Sequence, residues 1–209
     1  MNAHYNRLIF WQRTIRLMTG ARVSVVFDDA VGLELSAGVV GLHSRSLAGD
    51  RGVIVVRRNT LPDNATAGLV IDAIVVHELA HELLSEEQPQ DLREFVQSIV
   101  CKHWRTWPIH SGLPWAGHDQ RFIRALLHLI HRAAGHGVRV CLPAAFDHEL
   151  YLLSSLEEYQ AALGDEPRET DWIPLADVLG KPAPSAFLNL WSRDVLSWAQ
   201  SVDRKVGES

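Results

Sequence analysis

Hydrophobic and polar positions alternate along the chain in two different rhythms. Leu8, Trp11, Ile15 and Met18 recur at intervals of three and four, while Arg7, Arg13 and Arg16 fall elsewhere on the turn. That spacing predicts an amphipathic helix over 4–18, with Gly20 as its stop. The β-branched run RVSVVF (22–27) predicts a strand ended by Asp28 and Asp29. AGVVGLHS (37–44) and GVIVVR (52–57) predict two more, and the Gly- and Asp-containing connector RSLAGD suits an antiparallel hairpin. NTLPDNATAG is turn chemistry, in which Asn64 or Thr66 is placed to cap the next helix.

From 66 to 85 the pattern becomes apolar almost all round, so the helix it predicts belongs in the middle of the domain. A second stripe (Leu92, Phe95, Val96, Ile99, Val100) predicts a helix over 90–104. After the irregular, Trp-rich TWPIHSGLPWAGHD, the stretch HDQRFIRALLHLIHRAAG predicts a long helix ending at Gly135 or Gly137. VRVCL (138–142) reads as a short strand and DHELYLLSSLEEYQAAL as a helix. The tail is Pro-rich until 184 and closes with the amphipathic AFLNLWSRDVLSWAQSV. No internal repeat or low-complexity tract interrupts this order.

Composition narrows the class. The 209 residues suit one domain with a small appendage, and 47% hydrophobic residues with seven Trp supply a core. A formal charge of −5 gives no global field for nucleic acid or acidic membranes. Cys101 and Cys141 stand far apart without a CxxC, which excludes a Cys-based zinc ribbon and reads as two buried thiols. The apolar run Leu8–Trp11 is too short for a signal peptide, and no segment approaches the ~20 apolar residues that span a bilayer. The expectation is a cytoplasmic protein without membrane contact.

Within the buried helix lies VVHELAH. Positions i and i+4 share a helical face, so His77 and His81 can aim ring nitrogens at one ion. Glu78, about 100° round, can face a water without being a ligand. Two neutral imidazoles hold Zn²⁺, and the carboxylate takes a proton from the attacking water. A random HExxH arises in roughly 3% of shuffled chains of this composition. The helical, apolar setting argues against chance, because polar groups buried there without partners cost about 1–3 kcal/mol each. Asp72, one turn earlier, reads either as support for a ligand or as a helix-surface residue.

A catalytic zinc commonly takes three protein ligands and leaves one position to water. His118 falls on the apolar stripe of its helix with Phe122, Ala125 and Leu129, whereas His128 sits off the stripe and His131 opposite it, as surface residues would. His110, in the preceding loop, and Glu157 or Glu158 remain alternatives. Asp119 reads as a helix cap or as support for a ligating histidine. His148, Tyr151 and Tyr159 are candidate oxyanion donors that no pattern separates. Trp104, Trp107 and Trp115 read as core or as a wall beside a cleft, and Trp191 and Trp198 as docking on the core or meeting a partner.

VVHELAH after a strand pair resembles the active-site helix of zincin metallopeptidases. The order helix, strands, HExxH helix resembles the minigluzincin core, including SprT-like proteins. GHDQRF is similar to the SprT-like HGxxF, with Asp119 in place of the usual Gly and a longer interval, 118 − 81 = 37 positions, between ligands. The resemblance covers about residues 5–134. It implies a substrate peptide pairing with an edge strand, here GVIVVR, and protein substrates associated with DNA.

Together these readings predict an α+β, zincin-like fold: a small twisted, mostly antiparallel sheet, a buried HExxH helix and a helical C-terminal extension. The expected division is a metallopeptidase core over 1–137 and a mainly helical extension over 138–209. The expected function is a Zn²⁺-dependent peptidase acting on proteins or peptides, with His77, His81 and His118 as metal ligands and Glu78 as general base. The alternatives are a non-catalytic, zinc-stabilised binding module and a zinc amidase acting on a non-peptide bond.

Overall fold

A computed structural model of the chain describes residues 3–35, 41–44, 52–62, 66–84, 118–140 and 154–207. The described residues form an α+β fold of eight α-helices and a three-stranded mixed sheet.

Helix α1 (Ala3–Thr19) buries the predicted stripe, with Trp11 and Ile15 fully enclosed and Leu8 and Met18 beside them. Its C-terminus closes as Gly20 donates to the Arg16 carbonyl at 3.0 Å and turns the chain with φ at 76°. A side chain is disfavoured at that φ. Strand β1 (Val23–Phe27) alternates buried and half-buried residues, and Asp28 opens a single helical turn, α2 (Asp28–Val31).

Strands β2 (Gly41–Ser44) and β3 (Gly52–Val56) pair antiparallel, as the hairpin reading expects, with Gly41 opposite Val56 and Ser44 opposite Val53. Strand β1 pairs parallel with β3, Val23 opposite Gly52 and Phe27 opposite Val56. The sheet is therefore mixed, with one parallel and one antiparallel pair, and its order is β1-β3-β2. This corrects the assignment of GVIVVR as the edge strand. All five residues of β3 are buried, and a strand covered on both faces reads as a continuous apolar run. Among the described residues the edges are β1 and the shorter, more polar β2.

Helix α3 (Ala67–Leu84) packs on β2 and β3 and touches α1 and α4 (Gln120–Gly135) on its flanks. Ile71, Val75, Val76, Leu79 and Ala80 are fully buried there. Enclosing a large aliphatic side chain is worth about 1.5–3 kcal/mol, so this helix anchors the core. Asp72 belongs to neither expected role. It is buried and accepts Arg7 Nε at 2.6 Å, Arg7 Nη2 at 2.5 Å and Trp11 Nε1 at 2.8 Å, which ties α1 to α3.

Helix α4 is enclosed on two flanks. Phe122, Ala125, Leu126 and Leu129 enter the main core, while Ile123 and Leu127 join a second cluster. That cluster is completed by Leu156, Tyr159 and Leu163 of α5 (Leu156–Leu163) and by Phe187, Trp191 and Val195 of α8 (Ser185–Gly207). Buried Asp194 joins the two helices by accepting the Ser154 amide, the Ser154 hydroxyl and the Tyr159 hydroxyl. The short helices α6 (Glu166–Glu169) and α7 (Leu175–Leu179) also lie against α4. Arg132 secures this side by donating to the carbonyls of Met18, Thr170 and Ile173 at 2.6–2.9 Å.

The described part of the C-terminal extension is mainly helical; α5 starts at Leu156, capped by Ser155, and the residues of the expected helix up to 153 lie outside the described ones. Residues 138–140 form no strand. Cys101, Cys141, the helix expected over 90–104 and the Trp104–Trp115 segment lie outside the described residues, as do the side chain of Trp198 and residues Asn64, His148 and Tyr151. No helix among the described residues is long and apolar enough to cross a membrane.

Candidate metal centre

Residues from two distant parts of the chain meet where α3 crosses the start of α4. His77 and His81 face the same way from α3, and His118 stands just before Asp119, the N-cap of α4. The Nε2 atoms form a closed triangle: His77 to His81 3.3 Å, His81 to His118 3.2 Å, His118 to His77 3.1 Å. These three histidines form the only group of metal-ligating side chains brought together among the described residues.

Hydrogen bonding does not account for this triangle. A neutral imidazole nitrogen is a donor or an acceptor, never both. Of three mutual contacts, at least one must therefore pair donor with donor or lone pair with lone pair. A cation removes the conflict, because all three nitrogens then present lone pairs to it. The dimensions also fit: bonds of 2.0–2.1 Å at tetrahedral angles separate the donor atoms by about 3.3 Å. The three histidines can hold a metal ion.

The surrounding residues fix the rings. Phe122, fully buried, lies 4.9 Å from the ring of His77 and 4.5 Å from those of His81 and His118, centroid to centroid. This apolar contact to all three imidazoles goes beyond the motif match. Its only signal in the sequence is that Phe122 stands four residues after His118 on the same stripe. Asp119 is the helix cap: its Oδ1 accepts the amides of Arg121 at 2.9 Å and Phe122 at 3.0 Å. Burial pushes its carboxyl up, against the two amide bonds that lower it.

Glu78 follows His77 directly and is half-buried, with its carboxyl end against Gly41 of β2. Among the described residues, the rival ligands Glu157 and Glu158 do not join the triangle. Glu157 and Glu158 are exposed on α5, where Glu158 completes a capping box with Ser155. His110 lies outside the described residues. Tyr159 is enclosed in the second cluster, its hydroxyl on Asp194, and its phenol is pushed up first by burial and then by that carboxylate.

His128 corrects the expectation of a surface residue. It is fully buried, with Nε2 3.8 Å from Glu166 Oε1 and neither ring nitrogen hydrogen-bonded. The C-terminal helices cover the flank of α4 that a single-stripe reading leaves to solvent.

The fold and site define an α+β protein with a three-histidine, metal-capable centre. Comparison with protein-family models, with curated proteins and with solved structures finds no match.

Proposed function

We propose that the protein is a zinc-dependent peptidase of the zincin type, similar to the SprT-like proteins. The observation that carries this reading is the Nε2 triangle of 3.1–3.3 Å, with a glutamate immediately after its first member. An all-imidazole set of three is a donor set that suits zinc and leaves a coordination position free for catalysis. Zinc, when bound, supplies Lewis-acid polarisation of a carbonyl and makes water more acidic.

The chain's own groups do the rest. His77, His81 and His118 bind as neutral imidazoles, held in orientation by Phe122 and by the Asp119 cap. Glu78 accepts a proton from the attacking water and returns it to the leaving amine. The substrate is a protein or peptide. Among the described residues β2 is the edge of the sheet on the side of Glu78, so it replaces β3 as the strand along which an extended substrate pairs.

The test is hydrolysis of labelled casein with the metal removed and returned. Activity lost on dialysis against a chelator and restored by one equivalent of Zn²⁺ supports the reading. Zinc binding without cleavage favours a zinc-stabilised binding module.

A further inference from the structure

Strand β2 meets α3 at a position that carries no side chain. A Cβ at Gly41 would stand 2.5 Å from Ile74 Cγ2, 3.0 Å from Glu78 Oε1 and 3.3 Å from Glu78 Cγ. Ile74 and Glu78 are one helical turn apart on the same face, and both press into the gap the glycine leaves. Carbon atoms pack at ~3.5–4.0 Å, so a methyl group here must displace something by about 1 Å. Ile74 is buried in the main core and has little room to move. The half-buried Glu78 carboxylate and the edge strand are what can yield.

We propose that Gly41 is a positioning residue: its missing side chain sets where the Glu78 carboxylate rests beside His77. The inference rests on the peptidase reading, in which Glu78 transfers the proton. Against Glu78 the methyl demands a shift of a few tenths of an ångström, against Ile74 a larger one. Since a full 1 Å misplacement in a reacting arrangement costs on the order of 10²-fold in rate, the smaller shift is expected to cost less.

A second glycine in the same interface supplies the comparison. A Cβ at Gly52 of β3 would lie 2.6 Å from Cδ and Oε2 of Glu82, which follows Glu78 by one turn. Both Gly41→Ala and Gly52→Ala crowd α3 against the sheet, Gly52→Ala against the carboxyl end of Glu82 alone and Gly41→Ala against the buried Ile74 as well. Only the first bears on Glu78.

The experiment measures kcat and KM on fluorescein-labelled casein for both zinc-loaded variants, and visible absorption of both after loading with Co²⁺. Gly41→Ala is expected to retain one equivalent of metal. Its kcat falls at least tenfold further than that of Gly52→Ala, and its Co²⁺ bands change while those of Gly52→Ala do not. Equal losses of kcat in the two variants, or wild-type kcat and bands in Gly41→Ala, overturn the proposal. If the wild type binds metal but cuts no casein, the peptidase reading fails and the Co²⁺ bands alone decide for or against Gly41. Should Gly41→Ala not fold, Gly41→Ala with Ile74→Ala removes the 2.5 Å contact, leaves the one with Glu78, and is judged by the same criteria.

Discussion

The ring of Phe122 stands 4.5 Å from that of His118, nearly perpendicular to it at 79°. The same ring meets His77 and His81, so one buried side chain holds the aromatic planes of residues 41 positions apart in the chain. Phe122→Ala is expected to lower unfolding stability by about 3–5 kcal/mol, as large-to-small changes in a closed core do. Phe122→Leu is expected to keep the fold and to weaken zinc affinity about tenfold, the scale for residues that orient ligands. Urea denaturation and chelator competition check the two effects separately. Wild-type zinc affinity in Phe122→Leu would show that the ring only fills space.

Asp119 joins the end of the ligand segment to α4 through two amide hydrogen bonds. Asp119→Ala is expected to cost about 1 kcal/mol, and Asp119→Ser to recover most of that, since serine also caps. Thermal unfolding of the metal-free variants measures this. Equal loss in both would mean that the carboxylate does more than cap.

The Asp72 ion pair is buried on the acid's side, while the Arg7 side chain keeps 30% of its exposure. Asp72→Ala is expected to cost about 3 kcal/mol, the low end for a broken buried pair, because Arg7 can still reach water. Arg7→Met is expected to cost at least as much, because it strands a carboxylate whose remaining hydrogen bond is to Trp11. Zinc stoichiometry should stay at wild type in the folded fraction of both. A loss of metal in either would place this pair in the site.

Glu166 gives the fold a dependence on acid. Burial pushes its carboxyl up, but His128 nearby and the direct Arg124 contact outweigh that and hold it below the ordinary glutamate range. A carboxyl depressed in the folded state stabilises fully above its unfolded value, about 4.3–4.5, and loses that contribution as pH falls through the folded value. The urea midpoint is therefore expected to fall below about pH 4.5 in wild type. Glu166→Gln should flatten that part of the profile and be less stable at pH 7. A profile unchanged by the substitution would contradict the assignment.

The parts of this molecule readable from sequence are those set by local periodicity. His77 and His81 sit four apart in a helix, and that spacing alone makes them converge. His118 was legible because its helix has one stripe directed at the main core. Strand order was not legible, since pairing depends on contacts that no single strand encodes. The unbroken apolar run of β3 carries a mark of two-sided burial, which fits a central strand. His128 fails for a related reason: α4 packs on both the sheet-bearing core and the C-terminal helices, so one stripe understates what is buried. The partners of Asp72 lie more than 60 positions away, beyond any local pattern.

Zinc content and casein hydrolysis, measured on the same samples of wild type, His118→Ala and Glu78→Gln, test the central claim most directly. Wild type is expected to carry one zinc per chain, and His118→Ala to lose most of it together with activity. Glu78→Gln is expected to keep its zinc and to lose activity by a factor of at least 10², the lower range for a general base. Zinc retained at wild-type level in His118→Ala, or full activity in Glu78→Gln, would contradict the account.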